Sequence, residues 1–440
     1  MHKKTTTPPS VWTSHRGTMA QETAKSRWPK LVQGMVDDVC ETSAELPPSP
    51  ALDEIKSIQT KLHKLKDEII SDDELSTLEE DGSADIATYN RLLVDLGTLT
   101  WLNCPWLYGE CFLYRRVQLL FSKSCFWKKY DIFKRQKDST LVKSQKAVEE
   151  LATRFNQIIG TTAKSLENLD DDAARLIFIE MTELALWGNA TDLSLLTNLT
   201  LEEIQTLQGR AAIEESQKNI VDNDIQHVWS YLRKGQLIRA DRHVDIVLDN
   251  AGFELFADVL YTAYLIELGL ATSVTLHAKC FPWFVSDVIP SDMDFLLEHL
   301  QSIGLESITN LIKRHLKLGL IRIEVHPFWT TGFSFHEMPV EASELFKRFQ
   351  DSYLTIWKGD LNYRKLTRDG LWPHTTTFKS AIGPLGHGSG IKILALRTNK
   401  SDTCVGIDSE EQVERLDRET PGKGWVRNGK HAVISFSDGI

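Results

Sequence analysis

His243-Val244-Asp245-Ile246-Val247-Leu248-Asp249-Asn250-Ala251-Gly252-Phe253-Glu254-Leu255 is an apolar strand that ends in Asp-Asn and turns at once into a helix. Such a turn delivers a carboxylate and a carboxamide to the mouth of an α/β sheet, beside the free N–H groups that open the helix. Hard metal ions take oxygen ligands and phosphate takes helix N-termini, so one corner supplies both. The stretch points to a metal and a phosphate held side by side.

Working outward, short β-branched runs alternate with helices from about residue 239 onward, the pattern of a parallel sheet with crossover helices. Predicted strands are His243–Leu248, Ser273–His277, Leu320–Val325, Leu354–Trp357, Lys392–Ala395 and Ala432–Phe436, with helices Phe253–Leu268, Asp292–Ser302 and Glu341–Phe349 among them. Before residue 239 the apolar spacing is helical, over Trp28 onward, Leu52–Ile70, Ala87–Leu96 with Gly97 as a stop, Ser144–Ile159 and Asp171–Leu186. The aromatic helix Pro105–Arg116 carries only Glu110, Arg115 and Arg116 as charges, which either line a cleft or form the wet side of a core helix. Residues 1–20 are polar and rich in Thr, Ser and Pro, the composition of a disordered tail. The expected architecture is α/β: a helical N-terminal lobe, 21–238, packed on a Rossmann-like α/β domain, 239–440, with a largely parallel sheet.

The 440 residues are enough for two packed units, and a net charge of -11 without a basic stripe argues against a nucleic-acid partner and for small ligands. Six cysteines show no C-x-x-C pair and the N-terminus has no apolar run with a cleavage site, so the expected setting is intracellular and reducing, cytoplasm or nucleus. No window approaches the roughly 20 apolar residues that cross a bilayer. Even the helix near Leu260 carries Glu254, Asp258 and Glu267.

In open α/β sheets ligands bind beyond the carboxyl ends of strands, and four polar clusters fall there. The first is Asp249-Asn250 with Glu254 and Asp258 one and two turns on, although an Asn before a helix is also a common cap. The second is His277 to Asp287, where Asp287 precedes a Pro-containing loop and alone would read as turn chemistry. The third is Lys358-Gly359-Asp360-Leu361-Asn362-Tyr363-Arg364-Lys365, in which Gly359 permits close backbone approach and the polar groups suit a phosphate. The fourth is Arg397-Thr398-Asn399-Lys400, with Lys400 as a point-charge clamp and Arg397 as a fork. Four such clusters at four strand ends are hard to explain as independent turns. The glycines of Gly383–Gly390 precede a strand instead of following one, so they do not read as a nucleotide loop, and the thirteen histidines give no zinc-hydrolase spacing.

These residues resemble the metal-dependent damage-control phosphatases, in the branch with the R-T-x-K motif also called acidic-residue or protein-glutamate carboxyl methyltransferases. The matching strings are Leu186-Trp187-Gly188-Asn189 with Asp192-Leu193-Ser194, Asp249 to Glu254, Pro282 to Asp287, Gly359 to Lys365, and Arg397-Thr398 with Lys400; Ala190-Thr191 departs from the pattern. The resemblance implies a divalent metal (manganese, nickel, cobalt or magnesium) on Asp249, Asn250 and Asp287, which are then also the catalytic residues. It implies sugar phosphates such as fructose 1-phosphate and fructose 6-phosphate as substrates, contacting Asp249, Asn250, Asp360, Leu361, Asn362, Tyr363, Arg364 and Lys400. The branch's second name implies an alternative: methyl transfer from S-adenosylmethionine to a protein acceptor, with Glu254 and Asp287 holding the donor.

Overall fold

The computed structural model describes residues 7–162, 171–188, 217–238 and 241–440. Its seven strands, β1 Ile220–Asn223, β2 His243–Val247, β3 Ser273–Ala278, β4 Ile321–Val325, β5 Leu354–Lys358, β6 Ile393–Thr398 and β7 Ala432–Ser437, form one sheet in the order β1-β7-β6-β5-β2-β3-β4. All neighbours are parallel except β6 and β7. β2, β5 and β6 are buried nearly throughout because both faces of the sheet are covered. One face packs on the helices Gln145–Thr162, Asp171–Trp187, Ile225–Ile238 and Phe253–Glu267; the other holds Trp329, Phe335, Phe349, Trp357 and Trp425.

From β2 the chain steps outward through β3 to β4, then returns to the other side of β2 to make β5 and β6. The order therefore reverses between β2 and β5, and the loops that leave them diverge to open a crevice. Val247 stands opposite both His277 and Trp357, so the three strands end at one level.

A further layer of helices, Trp28–Ala44, Pro50–Ile70, Asp85–Leu96 and Trp106–Ser122, has its own apolar core. The Pro50 helix shows why it forms: Ser49 Oγ accepts from Leu52 N, Pro50 sits in the first turn, and Leu52, Ile55, Ile58, Leu62, Leu65 and Ile69 are buried along one face. This cap meets the loops at the strand ends through Trp283 and Leu361, which lie in its core.

The α/β class and the six expected strands are present. The structure differs from the sequence reading in two places. Residues 7–20 are not a disordered tail: Val11 is buried, its N–H donates to Asp369 O at 2.9 Å, and its carbonyl accepts from Trp106 N at 2.9 Å. Two apolar side chains, Val11 and Trp12, anchor that otherwise polar stretch between the cap and the sheet domain. Nor is 21–238 a single lobe, because the helices from residue 145 onward pack on the sheet, and β1 with the Ile225 helix belongs to it. β1 is an edge strand of four residues, two of them Asp222 and Asn223, too short and polar for an alternating pattern to show. Among the described residues no helix is long and apolar enough to cross a membrane.

Candidate functional site

At the end of β2 the chain runs through Leu248, Asp249 and Asn250 to Gly252, whose φ of 72° turns it into the Phe253 helix. The loop after β3 comes back alongside. Asn250 and Asp287 form an antiparallel bridge, with Ala251 N donating to Ser286 O at 2.7 Å and Val288 N to Asp249 O at 2.8 Å. This pairing joins Asp249 to Asp287, 38 positions apart in the sequence. The turn that delivers Asp287 is strained, since Phe284 and Val285 have φ of 45° and 70°, a conformation costly for a β-branched residue.

Asp249 and Asp287 are both buried. Asp249 Oδ2 accepts from Asn250 Nδ2 at 2.6 Å, while Oδ1 receives no hydrogen bond from the described residues. Burial, then the charges of Glu254 and Asp287, push the Asp249 carboxyl well above the usual range, against the pull of Lys279 and Lys400. Burial also pushes Asp287 up, to about 6, with Lys279 opposing. Lys279 Nζ stands 3.2 Å from Asp287 Oδ2 but donates to Leu248 O at 2.8 Å, and Oδ2 remains a buried atom without a hydrogen-bond partner.

Behind this pair lies a second charged layer. Lys358, buried at the end of β5, reaches Glu254 Oε1 at 3.1 Å and Asp258 Oδ1 at 2.7 Å. Glu254 Oε2 accepts from Asn250 Nδ2 at 2.8 Å. Asp258, raised to about 7 by burial against the pull of Lys358, keeps an unpartnered buried Oδ2. The sequence alone assigns no role to Lys279 or Lys358; the signal that marks them is a lysine at or just past a strand end facing acids on a neighbouring helix or loop.

The helix Gly359–Leu366 starts where β5 stops, and a Cβ on Gly359 would stand 1.8 Å from Asp249 Oδ2, so the carboxylate rests on bare backbone. Asp360 Oδ1 accepts from Arg397 Nε at 2.8 Å, Lys400 N at 3.1 Å and Ser401 Oγ at 3.0 Å. Although burial opposes it, Arg397 and Arg364 hold the Asp360 carboxyl below its usual range. Asp360 thus fastens the Arg397–Lys400 turn beside Asp249. Lys400 is half-buried and its ammonium has no partner among the described residues, which leaves it open towards an anion.

The remaining expected contacts are engaged elsewhere. Arg364 donates to Glu110 at 2.7 Å and to Asp369 at 3.2 and 3.0 Å, and its guanidinium lies 3.6 Å from the centre of the Trp106 ring. Arg397 is spent on Asp360, Ser401 and Thr403. Asn362 donates to Leu248 O and Lys358 O at 3.2 and 2.8 Å, tying the ends of β2 and β5 together. Leu361 is buried in the cap core, and the Tyr363 hydroxyl accepts from Val405 N at 3.1 Å. Asn189, Asp192, Leu193 and Ser194 lie outside the described residues.

The donor set suits a hard divalent cation. Two desolvated carboxylates, one of which (Asp287) raises the pKa of the other, with oxygens lacking hydrogen bonds, are stabilised by a positive ion between them. Among the described residues no three His, Cys, Asp or Glu side chains converge on one point, and the further oxygen beside the Asp249 carboxylate is that of the Asn250 carboxamide. Here its Oδ1 accepts from Ser286 Oγ and its Nδ2 faces the acids. Turning the amide over presents Oδ1 to the acids and lets Ser286 Oγ accept instead.

The family model described as "Damage-control phosphatase ARMT1-like domain" matches residues 23–416. The chain is 32% identical to Damage-control phosphatase ARMT1 of Danio rerio, over 98% of this chain and 97% of that one. It is 30% identical to the same-named protein of Xenopus tropicalis (98% and 99% covered) and 28% to that of Homo sapiens (98% and 98%). Among solved structures, a DUF89 family protein from Pyrococcus horikoshii aligns over 86% of this chain and 91% of that one at 16% identity and a TM-score of 0.38, too distant a likeness to build on.

Proposed function

The chain belongs to the ARMT1-like damage-control phosphatase family, and from that membership we propose that it hydrolyses sugar phosphates such as fructose 1-phosphate and fructose 6-phosphate. In this reading a divalent metal (manganese, nickel, cobalt or magnesium) sits on Asp249, Asn250 and Asp287. The observation that carries it is the buried Asp249–Asp287 pair at the strand-order reversal, with oxygens that lack hydrogen bonds and a Lys400 ammonium beside it that has no partner among the described residues.

When bound, the metal neutralises phosphoryl oxygens and acidifies a coordinated water. The rest is done by the chain. Lys400 meets the phosphate as a fixed cation, held in place by Asp360 through the Lys400 N–H. Lys279 and Lys358 compensate the buried acids, so that the site holds a cluster of carboxylates without unfolding. Arg364 acts from behind, linking the Gly359 helix to Glu110 of the cap.

The alternative, methyl transfer from S-adenosylmethionine with Glu254 and Asp287 at the donor, gains nothing from the geometry. Both Glu254 oxygens are held, by Lys358 and Asn250. The glycine string Gly383–Gly390 lies ahead of β6, at the end of the parallel strands opposite to Asp249.

The discriminating experiment incubates the purified chain with manganese and fructose 1-phosphate, and separately with labelled S-adenosylmethionine and a protein acceptor. Phosphate release without the methyl donor, abolished by chelation, is expected. Methyl-ester formation that survives chelation, with no phosphate released from any sugar phosphate tried, would overturn the proposal.

A further inference from the structure

The aromatic helix Trp106–Ser122 of the cap places Glu110 and Tyr114 one turn apart on the same face. Glu110 Oε2 reaches Arg364 on the Gly359 helix at 2.7 Å. The Tyr114 ring stacks on Phe284 with centroids 4.6 Å apart and lies 5.6 Å from Trp283, so it covers the strained turn that delivers Asp287. The charges its hydroxyl feels include Glu110, Asp287 and Arg27. Tyr114 therefore faces the Asp287 turn from the cap.

Its hydroxyl is unusual in this neighbourhood. Tyr89 and Tyr108, in the same cluster, donate to the carbonyls of Thr330 and Tyr89 at 2.8 and 3.1 Å. Tyr114 is only 4% exposed, yet its hydroxyl makes no hydrogen bond to any described residue. A hydroxyl that takes no partner from the described residues is available to a ligand, as donor and as acceptor. Glu110 Oε1 is nearly as open, its one hydrogen bond among the described residues coming from Trp28 Nε1 at 3.5 Å.

We infer that Tyr114 and Glu110 bind the hydroxyls of the sugar while its phosphate lies at Asp249, Asp287 and Lys400, which makes the cap the part of the site that selects a polyol over an apolar phosphate ester. This rests on the phosphatase reading above. A carboxylate that accepts and a phenol that both donates and accepts match neighbouring sugar hydroxyls, which have both roles to offer. The ring of Tyr114 is a positioning element for the Asp287 turn, and its hydroxyl is the contact to substrate.

The test compares wild type with Tyr114→Phe, which keeps the stacked ring, on fructose 1-phosphate and on phenyl phosphate, whose leaving group has no hydroxyls. For the variant, KM for fructose 1-phosphate is expected to rise about tenfold with little change in kcat, while phenyl phosphate kinetics stay at the wild-type level. Tyr114→Leu, which also removes the ring, is expected to lower kcat on both substrates. Wild-type kinetics in Tyr114→Phe, or an equal loss on both esters, would overturn the inference and leave the phosphatase reading intact. If the wild-type protein with manganese cleaves phenyl phosphate but no sugar phosphate, the sugar reading falls and this inference with it; if it cleaves neither, the phosphatase proposal itself fails.

Discussion

Gly359 shows how little tolerance the site has at the scale of single atoms. Its φ of 82° disfavours any side chain, and its missing Cβ is the space that the Asp249 carboxylate occupies. Gly359→Ala is expected to lose about 1–3 kcal/mol of stability from backbone strain and, by displacing Asp249, to lower kcat/KM on the order of a hundredfold. Urea denaturation and steady-state kinetics on the same preparation check both effects, and a variant within twofold of wild type would mean that Asp249 has no need of that contact. The sequence marks Gly359 as a place of close approach without saying what approaches. It marks Asp249, Asn250 and Asp287 because they fall at strand ends. It says nothing of where Arg364 goes, because its partner Glu110 lies 254 positions away and only the packed cap brings the two together.

At the scale of elements, β2 carries a second charged residue that serves the fold. Asp245 lies in mid-strand with no exposed surface, facing His277 Nε2 on β3 at 2.7 Å and Arg348 on the Ser343–Asp351 helix at 3.1 Å, and accepting from Ser352 Oγ. Burial pushes its carboxyl up, but His243 Nε2 at 3.6 Å, hydrogen bonds from His277 and Ser352, and the charge of His277 outweigh burial and hold it well below the usual range. A depressed folded pKa contributes stability that is present above the unfolded value, about 3.9, and is lost as pH falls through the folded one. Asp245→Asn is therefore expected to cost about 3–5 kcal/mol at pH 7, with the gap to wild type narrowing below about pH 5. Urea titrations at both pH values measure this, and a gap that does not change with pH would refute the assignment. In the sequence, Asp245 interrupts an apolar run without hiding the strand, since Val244, Ile246, Val247 and Leu248 surround it. β1 has no such surroundings, and its pairing with β7 is set by the folded sheet.

At the scale of the whole molecule, a sheet whose strand order reverses between β2 and β5 opens a crevice, and a helical cap covers the loops at its edge. The alternation of strands and helices makes the sheet readable from the sequence. The division of labour among the N-terminal helices is not, because a helix's apolar face does not say whether it packs on the sheet or in the cap: the Asp171 helix does the first and the Trp106 helix the second. Tyr114 takes its place in the site from that docking. The central claim, that Asp249 and its neighbours hold a metal which cleaves phosphate esters, is tested most directly by measuring bound manganese and phosphate release from fructose 1-phosphate on the same samples of wild type and Asp249→Ala. The expected result is about one manganese per chain with turnover in wild type, and neither in a folded Asp249→Ala. An Asp249→Ala protein that binds as much manganese and turns over as fast as wild type would contradict it.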